Sequence, residues 1–236
     1  MSTMSAAQGK NSIAEQLAFA KEQLKNSDSA ATDSRLLMCQ VLQCNTVYLM
    51  TWAEKPLDAA QLRAFEHLVE KRKQGHPVAY LLGCRDFWSL RLQVSPATLI
   101  PRPETELLVE TALDLPLNNE ANVLDLGTGT GAIALALASE KPDWQVAGIY
   151  KNADAVTLAK QNGLANKLPH VRFTQSDWFS NLSAASFDLI VSNPPYVEQS
   201  SVYLQQGDVR FEPASALTSG EDGLDDIRFI IPNAIE

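Results

Sequence analysis

Apolar residues recur at helical spacing over the first third of the chain and then shift to short runs separated by turns. Ile13, Leu17, Ala20 and Leu24 share one helical face, which predicts a helix from Ser12 to about Lys25. A second helix is predicted from the capping residues Thr32 and Asp33, with Leu36, Leu37, Val41 and Leu42 facing inward. Asp58 and Gln61 have capping-box spacing, in which each side chain satisfies the other's free backbone N–H. They open a longer helix that buries Leu62, Phe65, Leu68 and Val69. Lys71, Arg72 and Lys73 suit its carbonyl end, and Gly75 followed by His76-Pro77 stops it.

Beyond this point the period changes. Residues 86–95, with Phe87, Leu90, Leu92 and Val94, read as a strand or hairpin, and Ile100-Pro101-Arg102-Pro103 as a rigid connector. A helix is expected from about Glu104 to Leu115. After it, strands at 121–126, 145–150, 170–175 and 187–192 alternate with helices at 131–140 and 154–166. Such alternation predicts an α/β fold with parallel strands and right-handed crossovers. The expected domains are a helical one at 1–85, a hairpin and linker at 86–103, and a Rossmann-like domain at 104–236, which ends in a helix from Leu224 onward.

Composition narrows the class. The 236 residues are 45% hydrophobic and 20% charged, as in an ordinary globular protein. The net charge of -9 is unevenly placed, +2 over residues 1–95 and -11 over 96–236. An acidic second half repels backbone phosphates, so no direct nucleic-acid partner is expected. Cys39, Cys44 and Cys84 form no C-x-x-C pair, and His67, His76 and His170 are scattered. Asp125, Asp177 and Asp188 end separate strands without histidine partners, so no metal is expected. Met1 to Asn11 is polar, unlike a signal peptide, and no apolar run approaches the ~20 residues that span a bilayer. The cytoplasm, without membrane attachment, is the expected location.

Two segments carry chemistry. In Val123-Leu-Asp-Leu-Gly-Thr-Gly-Thr-Gly131 a buried strand runs into three alternating glycines and a helix of small residues, a geometry that lets backbone approach a nucleotide-like ligand. Gly127, Gly129 and Ala132 also satisfy the dinucleotide pattern, so the loop alone does not separate a nicotinamide enzyme from an S-adenosylmethionine enzyme. Phe187-Asp-Leu-Ile-Val-Ser192 then runs into Asn193-Pro194-Pro195-Tyr196. Two prolines remove two backbone donors and fix φ, leaving the Asn193 side-chain oxygen and the Pro194 carbonyl free to accept from a planar NH2 group. Tyr196 can pack on the substrate's flat face.

This chain resembles the amino-methyltransferases that carry Asn-Pro-Pro-Tyr. The order of parts most resembles that of one family. A helical N-terminal domain precedes Ile100-Pro-Arg-Pro-Glu-Thr-Glu106, Leu124-Asp-Leu-Gly-Thr-Gly-Thr-Gly131 and Ser176-Asp-Trp178. Asn193-Pro-Pro-Tyr196 and Gly207-Asp-Val-Arg-Phe-Glu-Pro213 follow, and the whole resembles the release factor glutamine methyltransferases. The resemblance implies a Rossmann-like methyltransferase domain that uses S-adenosylmethionine to methylate the glutamine of the Gly-Gly-Gln loop of peptide chain release factors. It makes Asn193, Pro194 and Tyr196 the catalytic residues, and Asn193, Pro194, Pro195 and Tyr196 the substrate contacts. Gly127, Thr128, Gly129, Thr130 and Gly131 would line the methionine part of the cofactor. Trp178 would pack on the adenine beside Asp177, with Tyr150 and Asn193 completing the cofactor site. The N-terminal helices would grip the release factor.

One position and the length of the C-terminal segment depart from the pattern. Tyr150 stands where an acidic residue is expected to accept from the ribose hydroxyls, with Asp154 the nearest acid in sequence. Only 40 residues follow Tyr196. Four strands are visible, without the C-terminal antiparallel pair of this class, so the expectation is a shortened domain with an open apolar edge on its fourth strand. The competing readings are a ribosomal-protein glutamine or a nucleic-acid amino group as acceptor, or a catalytically impaired release-factor-binding remnant.

Overall fold

The computed structural model describes residues 11–182 and 186–235, so most of the polar N-terminal stretch lies outside it. The chain divides between Leu82 and Gly83 into two compact units.

The first unit holds α1 (Ile13–Gln23), α2 (Ala30–Leu42), α3 (Thr46–Thr51), α4 (Ala59–Lys73) and α5 (Val78–Leu82). Ile13, Leu37, Met38, Phe65 and Val69 form its core. The capping box of α4 is present: Asp58 Oδ1 accepts from the Ala60 and Gln61 N–H groups, both at 2.8 Å, and Gln61 Oε1 accepts from the Asp58 N–H at 3.0 Å. Helix α2 differs from the sequence reading. It begins at Ala30, and Asp33 is a buried partner of Arg72, whose Nε donates to Asp33 Oδ2 at 2.7 Å. Arg72 therefore does more than face the carbonyl end of α4. Leu36 is exposed and Met38 fills the core in its place. Helices α3 and α5 were not expected, because segments of six and five residues are too short to show a helical period.

The second unit opens with the antiparallel hairpin β1 (Cys84–Phe87) and β2 (Leu90–Gln93). The helix expected from Glu104 is a 3-10 turn at Pro103–Thr105 leading into α6 (Glu106–Leu113), the proline ring suiting its first turn. Then follow β3 (Asn122–Leu126), α7 (Ala132–Glu140), β4 (Gln145–Tyr150), α8 (Ala153–Ala165), β5 (Arg172–Gln175), β6 (Leu189–Ser192) and α9 (Asp225–Asn233). The strand order is β5-β4-β3-β6 and every pairing is parallel. Among the described residues no strand covers the outer side of β6.

Helix α7 is apolar all round. Residues Ala132 to Ala138 are all buried, and small side chains on several faces let it lie close to the sheet. Helix α8 covers the hairpin differently. Asn162 Oδ1 accepts from the Gln93 N–H at 2.7 Å while its Nδ2 donates to the Gln93 carbonyl at 3.0 Å and the Thr130 carbonyl at 2.9 Å. One turn on, Asn166 makes the same pair with Arg91, accepting at 3.3 Å and donating at 3.0 Å. Two asparagines four apart thus satisfy alternate residues of β2, as a neighbouring strand would. No described helix is long and apolar enough to cross a membrane.

The strand order sets the place of the site. From β3 the chain moves to β4 and β5 on one side and returns to β6 on the other, with Leu126 in register with Ser192. Loops leaving two such neighbours diverge, and the crevice beyond their carboxyl ends is where open α/β sheets hold ligands.

Candidate active site

The first of those loops is Gly127 to Gly131. Gly127, Gly129 and Gly131 have φ of 77°, 53° and 85°, the left-handed region that glycine enters freely. The Gly127 and Thr128 N–H groups donate to the Ile149 carbonyl at 3.1 and 3.0 Å, pinning the loop across β4. A Cβ on Gly127 would lie 3.5 Å from the Trp178 ring, so any side chain there would narrow the space between them. Gly131 faces the other way, packed against Phe173 and Leu135 as the residue before α7.

Beneath the loop lies Asp125, fully buried. Its Oδ2 accepts from Thr128 Oγ1 at 2.6 Å and from the Ala134 N–H at 3.2 Å, while Oδ1 is buried with no hydrogen-bond partner. Burial pushes its carboxyl up to about 6, against the two hydrogen bonds that favour the anion.

Gly127, Thr128, Gly129, Thr130, Tyr150, Asp177, Trp178 and Asn193 line one cleft. Trp178 is held at its edge, with Nε1 donating to Asp226 Oδ1 of α9 at 3.1 Å. Tyr150 ends β4 on the cleft wall, and burial raises its phenol above the ordinary range, so it stays a neutral hydroxyl. It offers a donor and an acceptor where a carboxylate would offer acceptors alone.

Asn193, Pro194, Pro195 and Tyr196 leave β6 beside this cleft. The Tyr196 and Val197 N–H groups donate to the Leu217 carbonyl at 3.2 and 2.9 Å, so the segment is backed by the strip at 214–219. Asn193 Nδ2 points to Thr105 Oγ1 at 3.4 Å, which turns Oδ1 the other way. Among the described residues nothing donates to Asn193 Oδ1 or to the Pro194 carbonyl. Pro194 and Tyr196 line a second cleft, and Tyr196 is 64% exposed there. Asn193 and Pro195 line both clefts, as do Arg102 and Thr105.

Sequence reading named the glycine loop and the Asn-Pro-Pro-Tyr segment but gave no role to Thr105, Arg102 or Glu212. Glu212 is buried, and its Oε2 accepts from the Ile100 N–H at 2.9 Å while Oε1 accepts from Arg102 Nη2. The signal was present in the Ile100-to-Glu106 and Gly207-to-Pro213 segments, yet nothing local showed that the two meet.

The methyltransferase small domain family matches residues 103–219, and the PrmC N-terminal domain family matches residues 15–83. A release factor glutamine methyltransferase of Shewanella oneidensis is 53% identical over 94% of this chain and 78% of its own length. Those of Vibrio cholerae and Escherichia coli are 52% and 46% identical, over 92% and 89% of this chain and 77% and 76% of theirs. Among solved structures, the hMettl16 catalytic domain bound to the MAT2A 3'UTR hairpin 6 superposes with a TM-score of 0.53 at 18% identity, covering 67% of this chain and 62% of that one, a likeness of fold. Both units match in order, and identity is high along nearly the whole chain. The protein is thus an S-adenosylmethionine-type methyltransferase by fold and belongs to the release factor glutamine methyltransferase family.

Proposed function

We propose that this chain methylates the side-chain amide nitrogen of the glutamine in the Gly-Gly-Gln loop of peptide chain release factors, using S-adenosylmethionine. The observation that carries the reading is the pair of unengaged acceptors, Asn193 Oδ1 and the Pro194 carbonyl, on consecutive residues where the chain leaves β6 beside the two clefts. A primary amide has two hydrogens to donate. Two acceptors in one place hold both, orient the nitrogen, and favour the charge that develops on its hydrogens as it attacks. An amide is a weak nucleophile, so alignment is the task these residues perform.

The first cleft suits the cofactor. Bare backbone at Gly127 and Gly129 leaves room beside the Trp178 ring, and Tyr150 and Asp177 present polar atoms along the same wall. Gly127 to Thr130 would hold the amino-acid part, Trp178 the base, and Tyr150 the sugar, with Gly131 shaping the loop from behind. When bound, the cofactor supplies an electrophilic methyl group on a sulfonium centre. Tyr196 offers its exposed ring to the glutamine side chain in the second cleft. The helical unit is assigned to gripping the release factor, with Met50 of α3 and Trp52 just after it exposed on its surface. No nucleic acid, membrane or metal enters this reading, and the cytoplasm is its setting.

The test mixes this chain with S-adenosylmethionine and an unmethylated release factor and looks by mass spectrometry for one methyl on the Gly-Gly-Gln peptide. Methylation by the parent is expected, with at least ~100-fold slower turnover in Asn193→Ala at unchanged thermal stability, since an aligned acceptor is lost. An unmethylated peptide, beside an active relative as control, overturns the reading. Full activity in a folded Asn193→Ala variant overturns the mechanism.

A further inference from the structure

The cleft lined by the glycine loop also carries a guanidinium, Arg102, whose side chain is 34% exposed. Its counter-charge, Glu212, is 0% exposed in its side chain and lies 110 residues away in sequence. Burying a carboxylate can cost as much as such a pair returns in stability, so the pair is weak evidence of a stabilising role and its placement is the more informative feature. One Glu212 oxygen fixes the Ile100 N–H, just ahead of the turn that carries Thr105 to Asn193. Its loop continues into Leu217, whose carbonyl takes the Tyr196 and Val197 N–H groups. Both segments that flank the acceptor site are joined at this carboxylate. The other oxygen neutralises a cation in a cleft that, on the reading above, receives a positively charged sulfonium. The other charged groups that line this cleft, Lys151 and Asp177, are exposed and screened by solvent.

We propose that Glu212 is a positioning residue that ties the two flanking segments together and cancels the Arg102 charge, so that the cleft admits a cationic methyl donor. The inference rests on the proposed use of S-adenosylmethionine, and its test separates the two. S-adenosylmethionine carries a charge on sulfur that S-adenosylhomocysteine lacks, so the ratio of their affinities reads the charge balance of the cleft, while loss of shape weakens both alike. Titration calorimetry on the whole chain would compare the parent with Glu212→Gln, Arg102→Met and the double variant. Glu212→Gln is expected to weaken S-adenosylmethionine about tenfold relative to S-adenosylhomocysteine. Arg102→Met shifts the ratio the opposite way, and the double variant restores it to within about twofold of the parent. The opposite signs keep the test decisive even where one variant folds poorly. Equal changes for the two ligands, or a ratio unmoved by both single variants, overturn the inference while leaving the cofactor reading intact. A parent that binds neither ligand overturns that reading and the inference with it.

Discussion

Asp125 is a fully buried carboxyl beneath the glycine loop, held by only part of its hydrogen-bonding capacity. One of its oxygens is tied to Thr128 and Ala134, the other is buried and bare, and its carboxyl titrates at about 6 instead of near 3.8. Thr128 can reach it only because position 148 has no side chain, since a Cβ on Gly148 would come within 2.6 Å of Thr128 Oγ1. The folded protein therefore holds a proton on Asp125 up to about pH 6 that the unfolded chain releases near pH 4. Between those values the native state binds more protons than the unfolded state, so stability falls as pH rises through the window, by about 3 kcal/mol in all. Above pH 6 the Asp125 contribution is flat. In Asp125→Asn this slope should vanish. The measurement is the difference in urea unfolding free energy between parent and variant from pH 4 to 7, which removes the other carboxyls common to both. A difference that stays constant across the window would show that Asp125 is ionised throughout.

At the scale of elements, the cover of β2 by α8 makes a sharp comparison. Asn162 is buried and serves three backbone groups, including the Thr130 carbonyl of the glycine loop, whereas Asn166 is partly exposed and its lost partners can turn to water. Asn162→Ala should cost about 2–4 kcal/mol and Asn166→Ala less than ~1 kcal/mol, read from the urea midpoint at constant slope. Equal losses would mean that the asparagine ladder does not secure the hairpin. No period or motif announces such a ladder, and this explains which features were readable in advance. Elements whose cause is local were legible: the Asp58 box of α4, the buried run of β3, the glycine turn, the double proline after β6. The start of α2 was misplaced because Asp33, a good capping residue by type, is claimed by a tertiary partner, Arg72. In the site, contiguous backbone shapes were found from sequence. Pairings across the chain, Glu212 with Arg102 and Asn193 with Thr105, leave no trace in spacing and needed the fold.

Across the whole molecule, charge divides along the same line as the packing. The unit up to Leu82 carries +1 and the unit from Gly83 carries -10, while each has its own buried cluster. Self-repulsion opposes compaction where like charge is in excess, and salt relieves it by screening exposed groups, so salt should stabilise the two cores unequally. The sheet unit is the one that gains. Its charged residues are mostly exposed, as at Glu221 and Asp225, whereas the buried Asp33–Arg72 pair of the helical unit is shielded from ions already. Hydrogen exchange read by mass spectrometry resolves the two in the intact chain. Raising sodium chloride from ~20 to ~300 mM should slow exchange in peptides covering β3 and α7 about fivefold, after correction for the salt effect on unstructured peptides. Peptides covering α2 and α4 should change less than about twofold. An equal response to salt in both sets would mean that the acidic excess of the second unit is not a folding cost, and that its charges are already balanced locally by pairs such as Arg228 with Asp222.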